Sequence, residues 1–274
     1  MKNVLLIGFG KFGKILHEKL RVRGNVVAIC KTRTDDYRLF LSRNDINLVV
    51  IATPIATHVA LAKDCLNAGK DIFIEKPLSA DPKEMREVFA LAARRNKKIY
   101  VDDVFLWREE YQRLKKCMQK DRVTSIRFAF QKYGAFDDTI LNAHVYHDCY
   151  LLADLFGEHE ITNLEILSAK DPLEKGRIDK LSFRFTYGSI PVEGHYNRTS
   201  QERHKEITIR LKGGKTVAWR DTAIIENEMA YIVPPHDALG NMINAVLSDR
   251  VDYVKNNALT LQATTLLHEI EKIL

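Results

Sequence analysis

Six short apolar runs, NVLLIG, NVVAIC, NLVVIA, DIFIE, KKIYVDD and SIRFAF, fall within the first 130 or so residues and constrain this chain more than any other feature. They are rich in Val and Ile and do not alternate strictly with polar residues, as suits strands buried on both faces. Helical spacing separates them near 11–22, 56–68, 81–95 and 107–119. Strand and helix in repeated alternation imply a parallel sheet covered by helices on both faces. The third helix has a clear start, with Ser79 or Asp81 as N-cap, Pro82 in the first turn and Glu84 soon after.

Past about residue 160 the rhythm changes. In KLSFRFTY, Leu181, Phe183, Phe185 and Tyr187 share one face while Ser182, Arg184 and Thr186 share the other. That is a half-exposed antiparallel strand. EITIRLKGGKTVAW repeats the alternation through Ile207, Ile209 and Leu211, then turns at Gly213-Gly214 into Val217 and Trp219, a hairpin signal. Residues 235–274 return to helical spacing. A chain of 274 residues exceeds the ~100–150 of one compact unit. The expected division is 1–120 and 121–274, the second an α+β domain with an open, mainly antiparallel sheet and closing helices.

Composition excludes several classes. Hydrophobic residues at 46% and charged residues at 28% match soluble globular proteins, and no apolar run approaches the ~20 residues that span a bilayer, so no membrane role is expected. The opening MKNVLLIGFG runs into glycines instead of a small-residue cleavage site, which reads as a strand, not a signal peptide, and gives a cytoplasmic expectation. Cys30, Cys65, Cys117 and Cys149 form no Cys-x-x-Cys pair and are expected as reduced, structural thiols. The net charge of +6 is scattered among acids, so no nucleic-acid partner is expected. A mildly basic surface suits an anionic small molecule.

LLIGFGKFGKIL follows the first strand and opens the first helix. Gly8, Phe9, Gly10, Lys11, Phe12 and Gly13 have the Gly-x-Gly-x-x-Gly spacing of a dinucleotide loop. Gly8 permits the tight turn, Gly10 lets backbone approach a pyrophosphate, and Gly13 allows close helix–strand packing at a helix N-terminus that favours anions. The first domain is therefore read as a Rossmann dinucleotide-binding domain. Chains selective for NAD carry an acid about 20 residues on, at the end of the second strand. Here that place holds Lys31, Thr32 and Arg33, which could pair with a ribose 2′-phosphate. NADP is the expected cofactor and NAD its alternative; the bland reading of the same residues is a solvated basic turn.

A doubly wound sheet binds its ligand outside the carboxyl ends of its strands, and Glu75-Lys76-Pro77 lies at one such end. An ammonium there could hold a substrate oxygen and relay its proton, and a cis Pro77 would aim it. Together GFGKFG, ATPIATHVALAKDCLNAGKDIFIEKPLS and HDCYLLADLFG resemble the glucose-fructose oxidoreductase and inositol dehydrogenase family, also called Gfo/Idh/MocA, over nearly the whole chain. The resemblance implies that Thr53, Pro54 and His58 line the nicotinamide side. It also implies that Lys76 is the catalytic lysine and Glu75 a cofactor-side residue. It further implies an Asp-x-x-x-His pair on the helix opening the substrate domain. His147, ten residues before Gly157, fits the histidine, but the partner position is Ala143.

HVYHD offers His144 and Asp148 instead, four apart on one helical face with His147 adjacent. Three readings stay open. His147 is a general base oriented by His144 or Asp148; the cluster is a metal site; or the histidines satisfy a helix face. Two histidines and one acid are a thin ligand set, and no metal is expected. Asp102, Trp107, Arg108 and Asn142 are further polar residues able to reach a pocket, with Asp102-Asp103 most simply capping acids and Trp107 a wall.

The expected function is an NAD(P)-dependent oxidoreductase moving hydride to or from a hydroxyl or carbonyl of a sugar, cyclitol or sugar derivative, the substrate class being implied by the resemblance. The alternatives are a non-catalytic NAD(P)-binding regulatory protein, motivated by Ala143, and an imine or enone reductase. The resemblance also implies a homodimer or homotetramer through the antiparallel sheet.

Overall fold

The computed structural model describes residues 2–31, 35–118, 122–134 and 136–274. These form two compact units. The first comprises Met1–Val104 and Asp237–Thr264, the second Phe105–His236 and Thr265–Leu274. The expected 1–120 and 121–274 divide the chain differently, since 237–264 clusters in space with the N-terminal sheet.

The first unit is built on a parallel sheet of β1 (Asn3–Ile7), β2 (Asn25–Cys30), β3 (Leu48–Ile51), β4 (Asp71–Ile74) and β5 (Ile99–Val101), in the order β2-β1-β3-β4-β5. Its central strands are buried along their length; β3 has no exposed position. Helices α1 (Lys11–Leu20), α2 (Tyr37–Leu41), α3 (His58–Asn67) and α4 (Pro82–Arg94) connect the strands. Asp81 caps α4, accepting from the Lys83 N–H at 2.7 Å, while Ser79 Oγ bonds Glu84. Short α2 escaped the sequence pattern. Its five residues cannot display a helical period, although Asp36 caps it. Leu5, Ile7, Val49, Ile51, Ile72 and Ile74 from the sheet pack with Leu61, Leu66, Met85 and Val88 from α3 and α4. Helices α7 (Ala238–Leu247) and α8 (Tyr253–Glu271) return to this unit along 237–264. Asp237 bonds Arg23 and Lys19, and Asn256 bonds both N and O of Val101, at 2.9 and 2.8 Å, substituting for a neighbour strand at the β5 edge.

The second unit contains a sheet in the order β13-β12-β11-β10-β6-β9-β8-β7. Its strands are β6 (Val123–Gln131), β7 (Ile161–Lys170), β8 (Lys180–Tyr187), β9 (Ile190–Asn197), β10 (His204–Leu211), β11 (Thr216–Arg220), β12 (Ala223–Glu226) and β13 (Met229–Ile232). Here the sixth apolar run departs from expectation. SIRFAF lies in β6, which pairs antiparallel with β10 and parallel with β9, in this sheet and not the first. Ile126 and Phe128 are buried and Arg127 is exposed, so only one face is covered. The alternation in β8 is as expected, with Leu181, Phe183, Phe185 and Tyr187 buried. The Gly213-Gly214 turn has φ of 84° and 80°, values a side chain disfavours. Against the buried face lie α5 (Glu109–Cys117) and α6 (Tyr146–Phe156), joined by Tyr111 and Lys115, which both bond Asp154. A buried ion pair, Arg198 Nε to Asp179 Oδ1 at 2.6 Å, braces β9.

The cysteines are free thiols, three of them buried. No helix of the described residues is long and apolar enough to cross a membrane.

Candidate functional site

The glycine loop joins β1 to α1. Gly8 has φ of +96°, and a Cβ there would lie 2.3 Å from the Ala52 carbonyl oxygen. A Cβ on Gly13 would lie 2.1 Å from the carbonyl oxygen of Gly8, so helix and loop touch backbone to backbone. Gly10 differs: its Cβ would meet nothing within 4 Å. Gly10 is also the N-cap of α1, with no side-chain cap and no acid in the first turn. The amide end of a ten-residue helix therefore faces open space beside Lys11, which is exposed. That is the cradle a pyrophosphate needs, and the residues present fit a dinucleotide. Phe9 and Phe12 are half-buried, Phe9 edge-on to His17.

At the end of β2, Lys31 is exposed and its N–H donates to Asp35 Oδ2 at 2.7 Å. Thr32 and Arg33 lie outside the described residues. The sequence reading missed Asp35, whose carboxylate meets the strand end at the Lys31 N–H.

Thr53 and Pro54 follow β3, and Thr57 Oγ1 donates to Thr53 Oγ1 at 2.7 Å. His58 is 1% exposed, with Nδ1 2.9 Å from the Pro77 carbonyl oxygen and Nε2 2.8 Å from that of Thr53. Carbonyls only accept, so a neutral ring can satisfy one of them and an imidazolium both. His58 thereby ties the Thr53 turn to the segment carrying Lys76. Glu75 and Lys76 are half-buried at the carboxyl end of β4, and the Lys76–Pro77 peptide is cis. Lys76 and the glycine loop share one end of the parallel sheet.

In the second unit, Leu141–Val145 forms a π-helical turn running directly into α6, with the Tyr146 N–H donating to Leu141 O. Such a wide turn shifts the face that α-helical spacing assigns to residues before it. His144 and Asp148 accordingly go separate ways. His144 tilts against Phe130 with centroids 4.4 Å apart, while Asp148 accepts from the Tyr196 hydroxyl at 2.9 Å. His147 Nδ1 bonds the Tyr150 hydroxyl at 3.1 Å, and that hydroxyl accepts from the Phe105 N–H at 3.1 Å. The His147 ring stacks on Phe105 at 4.2 Å. Tyr150 is thus an orienting partner that sequence spacing did not single out, though it stands three residues on, within one helical turn.

Phe105 also carries the Lys205 ammonium, 3.2 Å from its centroid, and Trp219 approaches the same cation at 4.2 Å. Both His147 and Lys205 cannot occupy one ring face at these distances, so they take opposite faces. Lys205 Nζ is buried with no hydrogen-bond partner. Desolvation draws its pKa down to about 7, against the pull of Asp148. Burial pushes Asp148 up to about 6. Nothing local in EITIRL's flank announced this lysine, because its burial comes from rings distant in sequence. Arg108 and Glu110 lie 3.8 Å apart, and His236 Nε2 sits 3.3 Å from Glu110. Asn142 donates to Asp138 at 3.0 Å. Among the described residues no three His, Cys, Asp or Glu side chains gather as metal ligands would.

Two surface grooves mark the outward face of the eight-stranded sheet. One is lined by Arg127, Glu165, Arg184 and Glu193, the other by Lys180 and His204 among others, and neither contains Lys76 or His147.

Comparison with known proteins adds identity to this geometry. Residues 31–103 match the model of an oxidoreductase family with an NAD-binding Rossmann fold. A glycosyl hydrolase family 109 protein of a Shewanella species is 33% identical over 107 residues, covering 29% of this chain and 24% of that protein. The chain thus spans about a quarter of the length of that curated relative. UDP-N-acetylglucosamine 3-dehydrogenase of Acidithiobacillus ferrooxidans shares the fold at a TM-score of 0.82 and 17% identity, over 98% of this chain and 97% of that one. Biliverdin reductase of Synechocystis, solved with biliverdin and NADP+, does so at 0.78 and 15%, over 98% of each chain. Residues 31–103 thus carry the sequence signature of the Gfo/Idh/MocA oxidoreductases, and over the whole chain the likeness is one of fold.

Proposed function

We propose that this protein is an NADP-favouring oxidoreductase that moves hydride to or from a CH–OH or C=O carbon of a sugar, cyclitol or sugar derivative. The observation that carries this is Lys76 at the carboxyl end of β4, on the same sheet end as an open glycine loop. A nicotinamide dinucleotide, when bound, supplies the hydride chemistry. Gly8 to Gly13 hold its pyrophosphate, and Thr53, Pro54, His58 and Glu75 border it. Lys76 holds the substrate oxygen and exchanges its proton, and in the second unit His147, oriented by Tyr150, is the candidate for a second acid–base group. The sugar-related substrate is supported by the fold shared with a UDP-N-acetylglucosamine dehydrogenase. Lys31, Thr32 and Arg33 support NADP through the 2′-phosphate.

Asp35 favours a second cofactor reading, NAD, since its carboxylate stands at the end of β2 where a ribose hydroxyl would be met. The likeness to biliverdin reductase keeps a conjugated or imine double bond as a second substrate class. For assembly, the charged grooves of the outward sheet face support an isologous contact in a homodimer or homotetramer.

The test is absorbance at about 340 nm, the reduced cofactor's band, across sugars, cyclitols and sugar nucleotides with each cofactor. Turnover with NADP that drops by at least ~100-fold in Lys76→Ala is the expected result. Undiminished turnover in Lys76→Ala overturns the role of that lysine, and tighter binding of NAD overturns the cofactor preference.

A further inference from the structure

Two acids meet at the carboxyl ends of β4 and β5. The ladder pairs Ile74 with Val101 and continues through the Asp102 N–H, which donates to Ile74 O at 2.9 Å. Glu75 and Asp102 are therefore register neighbours at the ends of adjacent parallel strands, with side chains on the same side of the sheet, and each carboxyl acts on the other. Asp102 is 2% exposed, and its Oδ1 accepts from the Val104 N–H at 2.9 Å. Glu75 Oε2 is buried with no hydrogen-bond partner.

Ionised carboxylates only accept and repel one another, so two desolvated carboxyls side by side favour one proton between them. The Val104 N–H, donated to Asp102 Oδ1, favours the charged form of Asp102, which leaves the proton on Glu75. Burial raises both groups, Glu75 well above the usual carboxyl range, and the charge of Lys76 pulls both back down. Other groups around this sheet end have different partners. Asp103 bonds the Tyr100 hydroxyl and Asn256 of α8, and His58 of α3 faces the carbonyls of Thr53 and Pro77.

We propose that Glu75 and Asp102 are an acid pair holding one proton between them, in which Asp102 is a positioning residue that acts through Glu75 to fix a single negative charge beside Lys76. Two ionised acids would crowd acceptor-only oxygens in a desolvated corner. Two neutral ones would remove a counter-charge from beside Lys76. One shared proton avoids both. The proposal rests on Lys76 being the residue that meets the substrate oxygen.

Infrared difference spectroscopy of the whole protein tests the pair without any substrate. At neutral pH the wild type is expected to show the carbonyl stretch of a protonated carboxylic acid, lost in Glu75→Gln and titrating at lower pH in Asp102→Asn. Absence of that band in the wild type overturns the pair, and a band indifferent to Asp102→Asn overturns the role of Asp102. The pH profile of kcat/KM then reads the coupling. In Glu75→Gln/Asp102→Asn, whose two amides can still bond each other, the limb that vanishes in Lys76→Ala should move down by about one pH unit. An unmoved limb in the folded double variant overturns the coupling. Full turnover in Lys76→Ala would instead sink the assignment of that lysine while leaving the infrared result standing.

Discussion

Replacing two glycines of the loop by alanine should separate folding from cofactor binding. At Gly13 the new methyl would lie 2.1 Å from the Gly8 carbonyl oxygen, an atom of backbone that cannot swing aside. Overpacking of this kind costs roughly 1–3 kcal/mol or more, and the better helix propensity of Ala returns only about 1 kcal/mol. A contact this short against backbone takes the upper end of that cost, and the net loss of about 2 kcal/mol lowers Tm by roughly 4–8 °C in a chain of this size. At Gly10 the methyl meets nothing within 4 Å, and the backbone, at φ −73°, suits any residue. Losing Gly for Ala as N-cap costs only about 0.5–1 kcal/mol. A pyrophosphate seated on the helix end would nevertheless meet that methyl and lose at least one charge-assisted hydrogen bond. At roughly 1.5–3 kcal/mol this weakens binding by about 10-fold or more. Calorimetry fixes the NADP dissociation constant, and a thermal melt of the same samples fixes stability. Wild-type affinity in Gly10→Ala would refute the close approach at this glycine, and an unchanged melt in Gly13→Ala would refute the helix–loop packing.

Lys205 predicts a pH dependence of stability. Its folded pKa of about 7 lies below the ordinary 10.5, so between those values the unfolded chain holds more protons and stability rises with pH. The penalty is complete below pH 7 and fades toward 10.5. From roughly pH 7 to 9, urea unfolding should give the wild type up to about 1.4 kcal/mol per pH unit that Lys205→Met lacks, and parallel slopes would refute the buried cation. Removing the closer of two cationic partners by Arg198→Ala should cost roughly 1.5–3 kcal/mol in the same measurement, since Asp179, 0% exposed, then keeps only Arg177 at 3.1 Å. A loss below about 1 kcal/mol would show that the pair behaves as a surface bridge.

Features whose causes lie within a dozen residues were legible in the sequence. The Gly8-Gly10-Gly13 loop is one, because strand, turn and helix are contiguous and each glycine's need arises from its near neighbours. The start of α4 at Asp81-Pro82 and the Gly213-Gly214 turn are others. So was the placing of Lys76 at a strand end. SIRFAF misled because a short apolar run does not state which sheet it joins; Arg127 between Ile126 and Phe128 was the available sign of a one-faced strand.

By itself, then, the sequence determined the parallel α/β unit, the half-exposed antiparallel sheet and the glycine loop between β1 and α1, and it offered Lys76 and His147 as the candidates on which the proposed chemistry rests. Periodicity records which side of an element is covered, and it is written into neighbouring residues. Only the tertiary structure decided what covers it. Strand order set Glu75 against Asp102, 27 positions apart, and a wide helical turn sent His144 and Asp148 to different partners. Phe105 and Trp219, from separate elements, buried the Lys205 ammonium. These are electrostatic environments, made by desolvation and by charges brought together through space, and no local pattern encodes them.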